Sequence, residues 1–230
     1  DWSSDVCSSD LEEDVKIIIS GWDNLLWGNT LLQDITFNPD TKGIFDHVIR
    51  DADVIVSPEP YRVPGYFRQE LSLTEAFDVE INGSTDHCDL PKLKLYTNKA
   101  EEKAAANMIA DVKSQQKKDK TIIIQPYGRS ARIDRGDIID DSSRGLDSRA
   151  YLSLVKRLSE KYNVILFAEE EFHIPQDTYT LKPNADLRVW SAIIDSADYF
   201  IGCDSVGQHI ARAFDKPGTI IIGSTFPINV

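Results

Sequence analysis

Three short stretches carry side chains whose types and spacing could do chemistry. The turn Asp204-Ser205-Val206-Gly207-Gln208-His209 follows a short apolar run and opens a stretch in which Ile210, Ala213 and Phe214 fall on one helical face. Asp204 or Ser205 can cap that helix, and a helix N-terminus turns unpaired N–H groups and a positive dipole end toward an anion. On this reading Ser205 and the N–H groups of Val206, Gly207 and Gln208 hold a diphosphate, and His209 donates from one turn in. An ordinary cap is the plainer alternative. The loop 126–147, PYGRSARIDRGDIIDDSSRGLD, is long for a strand-to-helix connection. Gly128 allows close backbone approach, Ser130 supplies a hydroxyl, and Arg129, Arg132, Arg135 and Arg144 supply paired donors for phosphate oxygens. The same arginines could instead pair on the surface with Asp134, Asp137, Asp140 and Asp141. After the apolar run 163–168 comes EEEFHI, where one carboxylate could accept from a ribose diol. Which of Glu169, Glu170 and Glu171 would face a ligand stays open, as does an acidic solvated turn. His173 has no partner at metal-ligand spacing, so no metal site is expected.

These stretches need a scaffold that brings them together. From 121 the pattern alternates: strand 121–125, helix 148–162, strand 163–168, helix 187–195, strand 199–202, helix to about 214, and a buried strand 219–222. Such alternation specifies a doubly wound parallel sheet, whose ligands lie along the carboxyl edge of the strands. Upstream, 15–20 (VKIIIS) and 53–57 (DVIVS) read as buried strands, 67–81 as a helix, 90–96 as extended, and 99–113 as a helix with Ala104, Met108 and Val112 on its apolar stripe. The polar, aperiodic 114–120, SQQKKDK, reads as a linker between a unit 12–113 and a unit 121–230. Cys203 reads as a small core residue.

Residues 197–225, ADYFIGCDSVGQHIARAFDKPGTIIIGST, resemble the C-terminal domain of family nine glycosyltransferases, the heptosyltransferase-like enzymes. Ala197, Asp198, Ile201, Asp204, Ser205, His209, Ala211, Ala213, Pro217, Gly223 and Thr225 fall in register, while Val206 and Gly207 stand where the family usually has Gly then Pro. The resemblance covers most of 14–230 and is specific from about 121 onward. It implies an α/β, GT-B-type architecture of two Rossmann-like domains, the N-terminal one truncated, with 121–230 binding the nucleotide sugar. The implied reaction moves a sugar, heptose among the options, from a nucleotide diphosphate sugar to a saccharide or glycolipid acceptor such as a lipopolysaccharide core. No cofactor or metal is implied, and the implied location is cytoplasmic. The resemblance assigns the donor's diphosphate to Ser143 and Arg144 together with the Asp204 turn, and the nucleoside to a glutamate after strand 163–168, with Glu170 the middle candidate of Glu169, Glu170 and Glu171. In the family the base is an Asp of a loop expected upstream of Glu12, so no catalytic residue is assigned and the chain by itself is expected to be inactive. A nucleotide-sugar epimerase of the same architecture is one alternative, and would keep an acid/base pair in the cleft. A non-catalytic nucleotide-sugar-binding module is the other, favoured by the side chain at Val206.

Residues 1–11, DWSSDVCSSDL, back-translate to a common sequencing-adapter oligonucleotide. The expectation is therefore that they are an artefact packing against nothing, that Glu12 is an accidental start, and that Val230 is an accidental end. The 230 residues are 41% hydrophobic, enough for a substantial core, with no apolar run of membrane-spanning length. Net charge is −13, or −10 without the three aspartates of 1–11, which disfavours nucleic-acid binding and allows at most peripheral membrane contact. Outside 1–11 only Cys88 and Cys203 remain, which fits a reducing compartment.

Overall fold

The computed structural model describes residues 15–86, 93–128, 130–135, 137–168, 178–181 and 186–229. The expectations for 1–11, Cys88, Arg129, Glu169, Glu170, Glu171 and His173 lie outside the described residues. The chain divides into two compact units, one running Thr97–Thr225 and the other made of the residues up to Tyr96 with those after Thr225.

In the smaller unit β1 (Ile17–Ile18) runs parallel to β2 (Thr36–Phe37), and Asp23–Leu26 forms a 3-10 turn between them. A single turn, α1 (Pro64–Phe67), precedes α2 (Leu73–Asn82), where one helix from 67 was expected. Gln69 takes a left-handed φ of 64° and breaks the helix there. Ser72 then restarts it through a capping box with Glu75, and Gly83 ends it at φ 79°. The segment 53–57 is no buried strand, since Val54 and Ile55 are 77% and 70% exposed and no pairing includes them. A β-prone run is buried only beside other strands, and the described residues of this unit place none against it.

The larger unit begins with α3 (Lys99–Gln116), capped by Asn98 and Glu101. Its buried stripe is Ala105, Ile109 and Val112, one position on from the expected Ala104 and Met108. The five strands β3 (Thr121–Gln125), β6 (Asn163–Phe167), β7 (Tyr179–Leu181), β8 (Tyr199–Cys203) and β9 (Gly218–Ile221) form one parallel sheet in the order β7-β6-β3-β8-β9. A hairpin of β4 (Ala131–Asp134) and β5 (Asp137–Asp140) is inserted after β3. The helices are α4 (Ser148–Ser159), α5 (Leu187–Ser196) and α6 (Val206–Ala213). One sheet face, with Ile122, Ile124, Val164, Leu166, Ile201 and Cys203, packs on Tyr151 and Val155 of α4. The other carries Ile123, Ile165, Phe167 and Phe200; Phe167 stacks on Trp190 of α5 at 4.2 Å, and α3, α5 and α6 lie side by side over it. The edge strand β9 is largely exposed, not buried, because no described strand lies beyond it.

The stretch 114–120 is not a linker. Ser114 to Gln116 continue α3, and the unit boundary falls between Tyr96 and Thr97. Gln116 accepts from the N–H of Val164 at 2.6 Å and donates to its carbonyl at 3.0 Å, as an extra strand residue would. Asn163 then takes the N–H of Lys118 at 3.0 Å and donates to its carbonyl at 2.7 Å. Within this polar stretch the Gln116 side chain and the Lys118 backbone are thus spent on pairing with the start of β6. One further contact ties the helices: Arg188 of α5, with only 6% of its side chain exposed, meets Glu101 of α3 through Nε at 2.6 Å and Nη2 at 3.0 Å.

Candidate functional site

The chain leaves β3 toward α4 on one face of the sheet and leaves β8 toward α6 on the other. Because β3 and β8 are neighbours, their carboxyl ends open a crevice at a topological switch point, where open parallel sheets bind ligands. Gln125 ends β3 and Cys203 ends β8. The Gln125 amide Nε2 reaches Ser205 Oγ at 3.2 Å, and a Cβ on Gly128 would stand 3.6 Å from the same oxygen, an ordinary contact.

Asp204 and Ser205 are placed as the sequence suggests, but neither side chain caps α6. Asp204 Oδ1 accepts from Gln208 at 2.8 Å and Oδ2 from Thr225 at 2.6 Å, so both of its oxygens face protein donors. No side chain therefore caps the first turn of α6; the Gln208 N–H, expected among the diphosphate donors, bonds the Ser205 carbonyl at 3.1 Å, which leaves those of Val206 and Gly207 for an anion. Val206 is half-buried at the first helical position, whereas Gly207 is buried inward. A Cβ on Gly207 would run into Gln125 Oε1 and lie 2.7 Å from Phe200 Cζ, so this glycine serves helix-to-strand packing and not phosphate approach. His209 is half-buried on the first turn, its Nε2 3.4 Å from the Gln208 amide.

The long loop after β3 is drawn in by Asp140. Its carboxylate accepts Ser130 Oγ at 2.8 Å, Ser142 N at 3.0 Å, Ser142 Oγ at 2.5 Å and Gly145 N at 2.6 Å. Burial pulls this carboxyl upward, but those hydrogen bonds outweigh it and hold the group below the usual aspartate range. Leu146 N–H closes the loop on the Pro126 carbonyl at 2.9 Å. Ser130, expected as a ligand donor, spends its proton on Asp140. Ser143 sits at a left-handed φ of 54°, with its carbonyl packed where a Cβ on Gly223 would stand. Arg132 pairs with the exposed Asp141, and Arg135 turns the hairpin at φ 52°. Arg144 differs: it is half-buried, and among the described residues no ion pair engages its guanidinium.

A third loop joins the other two. Ser224 donates to the Ser142 carbonyl at 2.7 Å while the adjacent Thr225 donates to Asp204. Loops leaving β3, β8 and β9 thus meet at one place, with Arg144 and the N-terminus of α6 among them. Cys203 lies beneath, fully buried; burial first, then the Asp140 charge, pushes its thiol up to about 12 while the Arg144 charge opposes them, so it is an inert core residue as expected. Among the described residues no group of His, Cys, Asp and Glu is arranged to hold a metal ion, and no helix is long and apolar enough to cross a membrane.

Gln125, Asp140, Ser142 and Ser224 were not anticipated from sequence. Asp140 with Ser142 two residues on is an Asx-turn pattern, the one local signal that could have marked this hub. The others become visible only when three strand ends are adjacent.

No protein-family model matches the chain, and no curated protein does. Among solved structures, the ADP-heptose lipopolysaccharide heptosyltransferase II of E. coli is similar with a TM-score of 0.52 and 17% identity, over 70% of this chain and 50% of that one. The iron-containing dodecameric glycosyltransferase TibC of enterotoxigenic E. coli H10407 is similar with a TM-score of 0.53 and 13% identity, over 94% of this chain and 54% of that one. The chain spans about half the length of these proteins. The expected α/β fold with a parallel sheet is observed, and it is a fold found in heptosyltransferase-like glycosyltransferases.

Proposed function

We propose that the chain is the donor-binding part of a glycosyltransferase, and that the carboxyl edge of β3 and β8 holds the diphosphate of a nucleotide sugar. The observation that carries this is the meeting of three strand-end loops at the switch point, where Arg144 lacks an ion-pair partner among the described residues and α6 lacks a side-chain cap. A guanidinium and a row of backbone amides together match the oxygens of a diphosphate. The leaving group of glycosyl transfer is that diphosphate, so the same donors would stabilise its developing charge. Likeness of fold to an ADP-heptose transferase makes ADP the first nucleotide to try and heptose the first sugar. The acceptor in this reading is a saccharide or glycolipid, the base lies outside the described residues, and the enzyme works in the cytoplasm.

Titration of the 230-residue chain with ADP, UDP and GDP is the test. At least one should bind saturably, and Arg144→Ala should weaken it by about 1.5–3 kcal/mol, the scale of a hydrogen bond to a charged group, or roughly 10- to 150-fold. Absence of binding by all three, or an Arg144→Ala chain that binds as tightly as the parent, would count against the site.

A further inference from the structure

We infer that Asp140 is a positioning residue for the diphosphate site, holding Arg144 in place through Ser142; this rests on the reading of Arg144 given above. The connection is a chain of hydrogen bonds. Arg144 N–H donates to Ser142 Oγ at 3.3 Å, and Ser142 Oγ donates in turn to Asp140 Oδ1 at 2.5 Å. On the far side of Arg144, Gly145 N–H donates to Asp140 Oδ2 at 2.6 Å. One carboxylate therefore grips the backbone on both sides of the arginine.

Two features show that this turn is built rather than incidental. Ser143 holds a left-handed φ of 54°, which a serine adopts only when its surroundings impose it. Gly145 has no room for a side chain, since a Cβ there would lie 2.5 Å from the Tyr127 ring and 2.7 Å from Asp140 Oδ2. Ser130 at the hairpin's entry donates to the same carboxylate at 2.8 Å, so Asp140 also closes the base of the β4–β5 insert. The insert thereby leaves its two ends pinned beside the crevice. A carboxylate that spends its capacity on four donors has little left for a ligand, and like charge would repel a diphosphate from it. Its part is to fix the geometry of its positively charged neighbour.

The test is a double-mutant cycle on ADP affinity, using the 230-residue chain, with UDP and GDP run alongside and the tightest binder used for the cycle. Asp140→Asn should weaken binding at least roughly 5-fold when Arg144 is present and less than about 2-fold when Arg144→Ala is already present, the non-additivity expected of a residue that acts through another. Hydrogen exchange at the amides of Ser142 and Gly145 should rise in Asp140→Asn. Should that variant fail to fold, Ser142→Ala removes the relay hydroxyl alone and should give the same pattern at smaller amplitude. Unchanged affinity despite faster exchange overturns the inference and leaves the functional reading standing; equal loss in both backgrounds overturns it too, since that is a general structural effect. If the parent chain binds none of the three nucleotides, the functional reading falls and takes this inference with it.

Discussion

Replacing Arg188 with methionine should destabilise the Thr97–Thr225 unit by about 3–5 kcal/mol, the range for removing one partner of a buried ion pair and leaving the other charged. Arg188 and Glu101 have 6% and 13% of their side chains exposed and meet through two hydrogen bonds, joining α5 to α3. Water cannot substitute for the lost guanidinium at such burial. The carboxylate has a second task, since its Oε2 accepts the Asn98 N–H at 2.8 Å and completes the cap of α3. Burial drives the Glu101 pKa up, but the Arg188 and Asn98 hydrogen bonds prevail and hold it below the ordinary 4.5. A carboxyl whose folded pKa is depressed adds stability that is fully present above the unfolded value. That stability is lost as pH falls through the folded one. The gap between the parent chain and Glu101→Gln, measured by urea unfolding, should accordingly be constant above about pH 5.5 and narrow progressively below about pH 4.5. A gap of under about 1 kcal/mol at neutral pH, as for an exposed pair, would contradict the burial argument.

Gly207→Val should lower stability by about 3 kcal/mol and reduce nucleotide affinity at the same time. The position faces the sheet. A side chain there collides with Gln125 Oε1 and with the Phe200 ring, and Phe200 is fully buried with nowhere to move. Gln125, 4% exposed and tied to Ser205 Oγ at 3.2 Å, could yield only by releasing the residue that starts α6. The helix N-terminus would therefore tilt away from the strand ends. A melting temperature lower by roughly 5–10 °C, together with an ADP affinity reduced at least about tenfold, is the expected pair of results. A chain that melts like the parent would show that α6 does not pack on β8 as described. Val206→Gly, one residue earlier and half-buried, should do neither.

Most of the larger unit was legible in the sequence because its strands are short apolar runs separated by helix-period patterns. Thr121–Gln125, Asn163–Phe167 and Tyr199–Cys203 are buried on both faces, and their sequences are correspondingly continuous in Ile, Val, Leu and Phe. The β4–β5 hairpin escaped notice because its strands, Ala-Arg-Ile-Asp and Asp-Ile-Ile-Asp, are only four residues each, too short for periodicity to stand out. The stretch 114–120 was misread because glutamine and asparagine can replace a strand's hydrogen bonds, which composition cannot reveal. In the smaller unit Val54–Val56 has the composition of a strand without a neighbour to pair with among the described residues, and pairing is not a local property. The site shows the same division. Asp204, Ser205 and Arg144 are candidates by residue type and loop position, and Asp140 gathers its donors from within ten residues of itself, whereas the contact of Ser224 with Ser142 joins loops more than eighty residues apart.

The most direct test is a crystal structure of the chain with ADP at saturating concentration. The diphosphate oxygens should lie within about 3 Å of the Arg144 guanidinium and of the first-turn amides of α6, with Asp204 still bonded to Thr225. A nucleotide whose diphosphate sits away from both the Arg144 turn and the start of α6 would contradict the account.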